Sequence, residues 1–374
     1  MEVEVTETSP LALGFDLAKV KRVLIYRLGS LGDTTIALPA LHLIARSFPA
    51  ATRHLLTNIP VHAKAPAAAA ILGGSGLVEG YIDYPVGTRS VVELAKIWLR
   101  IRSFRPDVLV YLSPPRNADA VKRDAKFFRV CGIRHIVGLP TGDMGENRYD
   151  AATDMWEREA ARLLRCMAAL GPADVNDLRN WDLRLSDAEA SKATKVLTPL
   201  GHNPIIACGP GTKMQSKDWG QEKWLELLTR LSAKFPGHAL ALIGARDDKE
   251  VSDYAAAGWK GPVVNLCGEL TPRESAAVIR HAELFLGPDS GPMHLAAAYG
   301  VPCAIAFASV DKRGRWFPIG EGHRPIYHQV PCSACRLTEC YEKQKICINS
   351  ITVDEMYHAA VEAIRPNQAQ KGIG

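Results

Sequence analysis

The chain has no apolar run of about 18 residues, the length a helix needs to cross a bilayer, so no membrane-spanning helix is expected. Nor is a secretory leader expected. The chain opens Met1-Glu-Val-Glu-Val-Thr-Glu-Thr8, acidic where a secretory signal would be basic, and a cytoplasmic protein is the expectation. Internal repeats and low-complexity tracts are missing, and so is a strong charge of one sign. A formal charge of +5 over 374 residues suits an anionic substrate or membrane surface and falls short of what nucleic-acid binding requires. The dinucleotide fingerprint Gly-x-Gly-x-x-Gly is also absent. The turn Gly29-Ser-Leu-Gly32 has the wrong spacing, Cys208-Gly-Pro-Gly-Thr212 does not match, and no Walker lysine follows a glycine-rich loop.

What is present reads as an α/β protein. Apolar residues make up 47% and charged residues 23%, the balance of a globular chain, and the length suits two domains. From residue 22, β-branched runs alternate with amphipathic stretches. Strands are expected at Arg22–Tyr26, 54–57, 81–84, 108–112 and His135–Val137, with helices at 34–48, Val91–Phe104, Ala118–Val130 and 156–170. Residues 1–20 read as a tail with a short helix near Leu17. After Gly171-Pro172 and a polar segment the rhythm restarts, with strands at Ile205–Cys208, 239–243, Val263–Asn265, 283–286 and Cys303–Phe307. Helices are expected there at 222–235, 247–257, 273–281 and 292–299, and a last one near 352–364. The expected organisation is a domain over 1–170, a linker region over 171–203, a second domain over 204–350, and a C-terminal helix and tail over 351–374. Two doubly wound halves would leave a cleft at the carboxyl ends of their strands.

The stretch 286–302 orders this pattern: a strand end, a glycine turn and a helix start. Ser290 can cap the helix, Gly291 leaves backbone N–H groups uncovered, and His294 falls one turn on, on the face of Ser290. Such a helix start suits a phosphate, and it is equally a packing turn. Of nine cysteines, five are scattered in apolar surroundings as small core residues. The other four, Cys332, Cys335, Cys340 and Cys347, are clustered. In a reducing compartment such clustering suggests metal ligation or free thiols. Zinc or iron would suit four thiolates, although gaps of two, four and six residues fit no standard finger.

Three blocks together carry a resemblance: Val23-Leu-Ile-Tyr-Arg-Leu-Gly-Ser-Leu-Gly-Asp-Thr-Thr-Ile-Ala-Leu-Pro-Ala-Leu41, Lys217-Asp-Trp-Gly-Gln-Glu-Lys-Trp224, and residues 287–302. In order and spacing they resemble glycosyltransferase family 9, the ADP-heptose:lipopolysaccharide heptosyltransferases. The resemblance implies a GT-B fold: two Rossmann-like domains with parallel sheets facing across a cleft, acceptor on the first, nucleotide-sugar donor on the second. It also implies inversion at the anomeric carbon and no catalytic metal or other required cofactor. By the same resemblance Asp33 matches the general base, Lys217 the lysine directed at the donor phosphates, and Asp289, Ser290, Gly291 and His294 the phosphate-binding helix start. Thr212 is a further phosphate or sugar contact, and Asp247 or Asp248 an acidic ribose contact.

Each position also has a plainer reading. Asp33 could be an N-cap, Lys217 a surface lysine, Asp247 and Asp248 helix caps, His294 a helix-face histidine bonded to nearby backbone, and Trp219 and Trp224 packing residues. After the strand ending at Leu112, Ser113-Pro-Pro-Arg-Asn117 departs from the family's usual segment, which leaves the acceptor least determined. Arg116 and the basic stripe Lys122, Lys126 and Arg129, with Arg123 beside it, form either a solvated helix face or a seat for phosphorylated lipopolysaccharide or an anionic inner-membrane surface. The expected partners are ADP-heptose and a lipopolysaccharide or related glycan, with no nucleic acid. Competing readings are a GT-B nucleotide-sugar epimerase, a transferase using a different nucleotide sugar or a protein acceptor, and a metal-bearing scaffold.

Overall fold

The computed structural model describes residues 13–58, 67–85, 87–88 and 90–371; the acidic opening of the chain lies outside them. A 3-10 turn at Leu17–Lys19 leads into a five-stranded sheet. Its strands are β1 (Arg22–Tyr26), β2 (Thr52–Asn58), β3 (Gly80–Tyr84), β4 (Val108–Tyr111) and β5 (His135–Val137), ordered β3-β2-β1-β4-β5. Between them run α1 (Leu31–Ile36), α2 (Leu38–Ser47), α3 (Ala69–Leu72), α4 (Val91–Phe104) and α5 (Ala118–Val130). A small hairpin, β6 (Tyr149–Asp150) and β7 (Met155–Trp156), then leads to α6 (Glu159–Cys166) and α7 (Asp187–Leu197).

The second sheet has six strands: β8 (Ile205–Cys208), β9 (Ala239–Leu242), β10 (Val263–Asn265), β11 (Ala282–Pro288), β12 (Cys303–Phe307) and β13 (Arg324–Tyr327). Its helices are α8 (Gln221–Lys234), α9 (Lys249–Ala256), α10 (Pro272–Ile279), α11 (Gly291–Ala298), α12 (Ile346–Asn349) and α13 (Val353–Lys371). The order β10-β9-β8-β11-β12-β13 repeats that of the first sheet with one strand added, and every pairing in both sheets is parallel. In each sheet the winding reverses beside the first strand, between β1 and β4 and between β8 and β11. Loops diverge at such a reversal and open a crevice at the strands' carboxyl ends. One apolar cluster, holding Val23 and Ile25 as well as Ala207 and Phe285, runs through both halves, and α4 with α5, and α8 with α13, cover the outer faces.

Two expectations are corrected. The single helix over 34–48 is two, α1 and α2, because Pro39 has no N–H to continue the ladder of α1 and fits the first turn of α2, where none is needed. The segment 171–203 is not a bare linker. It holds α7, started by a capping box between Ser186 and Glu189 and packed on α10 through Arg273, which pairs with Glu189 and donates to the carbonyls of Ile71, Leu183 and Arg184. The strand β13 was not anticipated; it is half-buried at the sheet edge, where its Pro325 is tolerated.

The two halves are joined by buried charge. Glu159, at the start of α6, is 0% exposed and accepts from Arg162 at 2.6 and 3.1 Å, from Arg315 at 3.3 and 3.4 Å, and from Asn147 at 3.3 Å. Burial pushes its carboxyl up, but the Arg162 hydrogen bonds and the charges of Arg162, Arg315 and Arg27 outweigh that and hold it below the usual carboxylate range. Arg315 belongs to the second half. Its carbonyl also takes the Glu159 N–H at 3.0 Å, so the contact is both ionic and backbone. Replacing Glu159 with Gln keeps the shape but removes the charge, which leaves the buried Arg162 without its ion-pair partner and Arg315 with Asp311 alone. Denaturant unfolding should show a loss of about 3 kcal/mol or more, and a stability equal to that of the parent chain would contradict this account.

His294, one turn into α11, is 4% exposed, and burial pushes its imidazole down to about 4. Unfolded, it titrates near 6.5. The unfolded chain therefore binds the extra proton first, so stability is full above about pH 6.5 and falls as pH drops toward 4, by up to about 3 kcal/mol from this group. Unfolding midpoints measured from pH 7 to 4 should fall less steeply for His294→Gln; an unchanged slope would count against it.

Candidate functional site

A cleft of about 480 Å³ lies where the two crevices meet, and each wall is a loop at the carboxyl end of a strand. Ser30, Gly32 and Asp33 follow β1, Pro114 and Pro115 follow β4, and Thr212, Lys213, Met214 and Lys217 follow β8. Asp289, Ser290, Gly291 and His294 follow β11, and Asp311, Arg315 and Trp316 follow β12. The helices α1 and α11 meet by their N-termini. A Cβ on Gly32 would lie 3.1 Å from the His294 ring, and one on Gly291 would run into the end of the Leu31 side chain, so the two helix starts approach closely at both glycines.

Asp33 is both a helix-start residue and a cleft residue. It is not the N-cap: Ser30 is, and Asp33, at the third helical position, accepts the Ser30 N–H at 2.8 Å and its hydroxyl at 3.0 Å through Oδ2. Its other oxygen, Oδ1, lies 3.8 Å from the buried Arg27 guanidinium, and the side chain is 25% exposed, facing the cleft. Arg27 in turn clamps the turn by donating to the carbonyls of Asp33 and Leu112.

Opposite stands Lys217, at the end of a 3-10 turn (Gln215–Lys217), with its ammonium 2.5 Å from the buried Asp289 carboxylate. This turn is strapped down by the segment after β13. Ser216 bonds the carbonyls of Thr338 and Leu337, and Gln215 accepts the Cys340 N–H at 2.8 Å. Ser290 caps no N–H with its side chain, and its Oγ is buried with no hydrogen-bond partner. Beside the cleft a narrower apolar pocket is lined by Ile243, Leu270, Pro272 and Leu295, with Thr212 and Asp248 at its rim. Asp248 accepts the Ala245 N–H at 2.7 Å and sits where a side chain on Gly211 would otherwise be. Asp248 lines this pocket and Asp247 does not, which separates the two aspartates.

Trp219 and Trp224 are packing residues, 1% and 0% exposed, in edge contact at 4.7 Å, as their plainer reading has it. Arg116 does not reach the cleft. It pairs with Asp124 at 2.5 Å in a separate cavity with Tyr26, Tyr84, Phe127 and Phe128. Lys122, Lys126 and Arg129 are exposed on α5 and line neither space. All four clustered cysteines are free thiols. Among the described residues no three His, Cys, Asp or Glu side chains converge as metal ligands do. Cys340 and Cys347 point into buried surroundings while Cys332 and Cys335 lie toward the surface, because the loop's backbone is spent on strapping the Lys217 turn and the end of β12. Sequence reasoning missed Asp311, Arg315, Trp316 and Arg336 in the cleft wall; the one usable signal for the first three was their place just after a buried strand.

Residues 143–346, more than half of the chain, match the family model described as glycosyltransferase family 9 (heptosyltransferase). Among curated proteins, lipopolysaccharide heptosyltransferase 3 of Escherichia coli is 31% identical over 115 residues, which are 30% of this chain and 33% of that protein. The same-named protein of E. coli K12 is 29% identical over 151 residues, so the chain spans under half the length of the curated relatives it first matches. Among solved structures, E. coli ADP-heptose LPS heptosyltransferase II superposes with a TM-score of 0.65 at 17% identity, covering 93% of this chain and 99% of that one. The family 9 glycosyl transferase of Veillonella parvula DSM 2008 gives 0.65 at 16% identity, covering 92% and 98%. At these identities the structures speak for the fold, which is GT-B. With the family model matching most of the second half and the cleft framed by both sheets, the chain belongs to glycosyltransferase family 9.

Proposed function

We propose that the chain is an inverting glycosyltransferase, needing no metal for its chemistry, that moves a heptose from ADP-heptose to a saccharide hydroxyl of lipopolysaccharide core or a related glycan. One observation carries the reading. A carboxylate from the first half's reversal point shares a cleft with a lysine, an unpartnered buried hydroxyl and a helix N-terminus from the second half's. The nucleoside occupies the apolar pocket, with Asp248 within reach of the ribose. The diphosphate lies against Ser290, the first turn of α11, Thr212 and Lys217, where aligned N–H groups and a positive charge favour it. His294, neutral at pH 7, serves as a hydrogen-bond partner rather than a charge.

In the reaction the acceptor oxygen bonds to the anomeric carbon as the bond from that carbon to the diphosphate breaks. The acceptor proton passes to Asp33, and the negative charge left on ADP is met by Lys217 and the helix start. Asp289 holds the lysine in place. The remainder of the glycan runs over Pro114 and Pro115 toward the cavity of Tyr26, Tyr84 and the Arg116–Asp124 pair, whose aromatic faces and paired charges suit a pyranose. A thermal-shift panel of nucleotide sugars followed by ADP release with and without glycan tests the reading. Stabilisation by another nucleotide sugar alone would overturn the donor, and nucleotide release without acceptor would favour the epimerase reading.

Asp33→Asn retains an oxygen to accept the Ser30 N–H but cannot take a proton. Turnover should fall by roughly a hundredfold to ten-thousandfold while ADP affinity stays within about threefold, with a helix-start cost of no more than about 1 kcal/mol. An active Asp33→Asn enzyme would end the assignment. Lys217→Ala should cost turnover about ten- to a hundredfold and also lower the melting temperature, because Asp289 is left buried and unpaired. Adding Asp289→Asn should restore the melting temperature but not turnover; recovery of both would show that the pair is structural only.

A further inference from the structure

The face made by α4 and the outer side of α5 departs from the rest of the surface. Four of the five most exposed large apolar side chains among the described residues lie on it: Val91 at 79%, Val92 and Val130 at 63%, and Leu99 at 58%. The inward side of α4 is satisfied by Ile97 and Ile101, both buried, so the outward valines and leucine are not core residues out of place. Val91, Ala95 and Leu99 follow one another at four-residue spacing and form one outward stripe. The Trp98 indole donates to the Val130 carbonyl at 3.2 Å and brings the end of α5 against α4, so the stripe and Val130 belong to one surface.

Beside them stand Lys122, Lys126 and Arg129 on α5 and Arg102 on α4, all exposed, and among the described residues none of the four has an ion-pair partner. A purely solvated basic face has no use for exposed valine and leucine. A purely apolar protein interface has no use for unpaired cations at its centre. The two together fit a surface that offers anionic headgroups above an apolar layer. The aromatic cavity of Tyr26 and Tyr84 is bordered by Leu94 of α4 and by Arg123 and Phe127 of α5, so it adjoins this face.

We propose that the α4–α5 face docks on an anionic lipid bilayer, with Val91, Val92, Leu99 and Val130 entering the headgroup boundary and Lys122, Lys126, Arg129 and Arg102 meeting lipid phosphates. This docking does not depend on which sugar is transferred. It is tested without any activity measurement, by sedimenting the full chain with vesicles of phosphatidylcholine alone and with about a third phosphatidylglycerol. The chain should bind only the anionic vesicles and be released by roughly 0.5 M salt. Charge reversal at Lys122, Lys126 and Arg129 should reduce binding at least about tenfold, and Val91→Ser with Leu99→Ser should reduce it severalfold, each with an unchanged melting temperature. Failure of the parent chain to bind anionic vesicles would overturn the proposal. So would undiminished binding by the serine variant, or retention on heparin without vesicle binding, since either would leave a bare electrostatic patch.

Discussion

Two helix N-termini, those of α1 and α11, meet across the cleft with Gly32 against His294 and Gly291 against Leu31. Each carries a partial positive charge and unbonded N–H groups, so their approach is unfavourable unless negative charge is held between them. The protein supplies part of it with Asp33 and Asp289. A diphosphate bound there would meet both positive ends. The glycines favour the contact, since a side chain at Gly291 would meet Leu31 and one at Gly32 would crowd His294.

Around this contact the charges are fixed in pairs with distinct tasks. Asp33 ties the α1 turn to Ser30 by one oxygen and leaves the other toward the cleft. Asp289 holds Lys217, and the loop of residues 332–340 fixes the backbone from which that lysine projects. The cluster of Glu159, Arg162 and Arg315 lies behind, where burial makes each ion dependent on its partners. Breaking a pair should therefore affect more than the group removed, which is why paired substitutions separate catalytic from structural roles.

The edge of the first half opposite this contact has another character. There α4 and α5 turn apolar and cationic side chains outward, away from the cleft, with the aromatic cavity between them and the site. An enzyme whose acceptor is amphiphilic gains from holding its acceptor side against the surface that carries it, since capture then becomes a search in two dimensions.

The strands, most helices and the two-fold repetition of a parallel sheet were legible because the alternation of β-branched runs and helical stripes is a local property, as was the glycine-marked helix start at Ser290 and Gly291. The family resemblance and the assignment of Asp33, Lys217 and His294 to one site were legible from three motifs whose joint spacing is specific. Tertiary structure alone decided the rest. The segment α7 formed where few apolar residues announced it because α10 and Arg273 supply its partner. Asp248 rather than Asp247 faces the pocket because of where the turn after β9 points. Arg315 and Trp316 enter the site from a segment with no motif. Periodicity and motif spacing act along the chain, whereas ion pairing, metal geometry and cleft walls depend on distances between residues far apart in sequence, which no local pattern encodes.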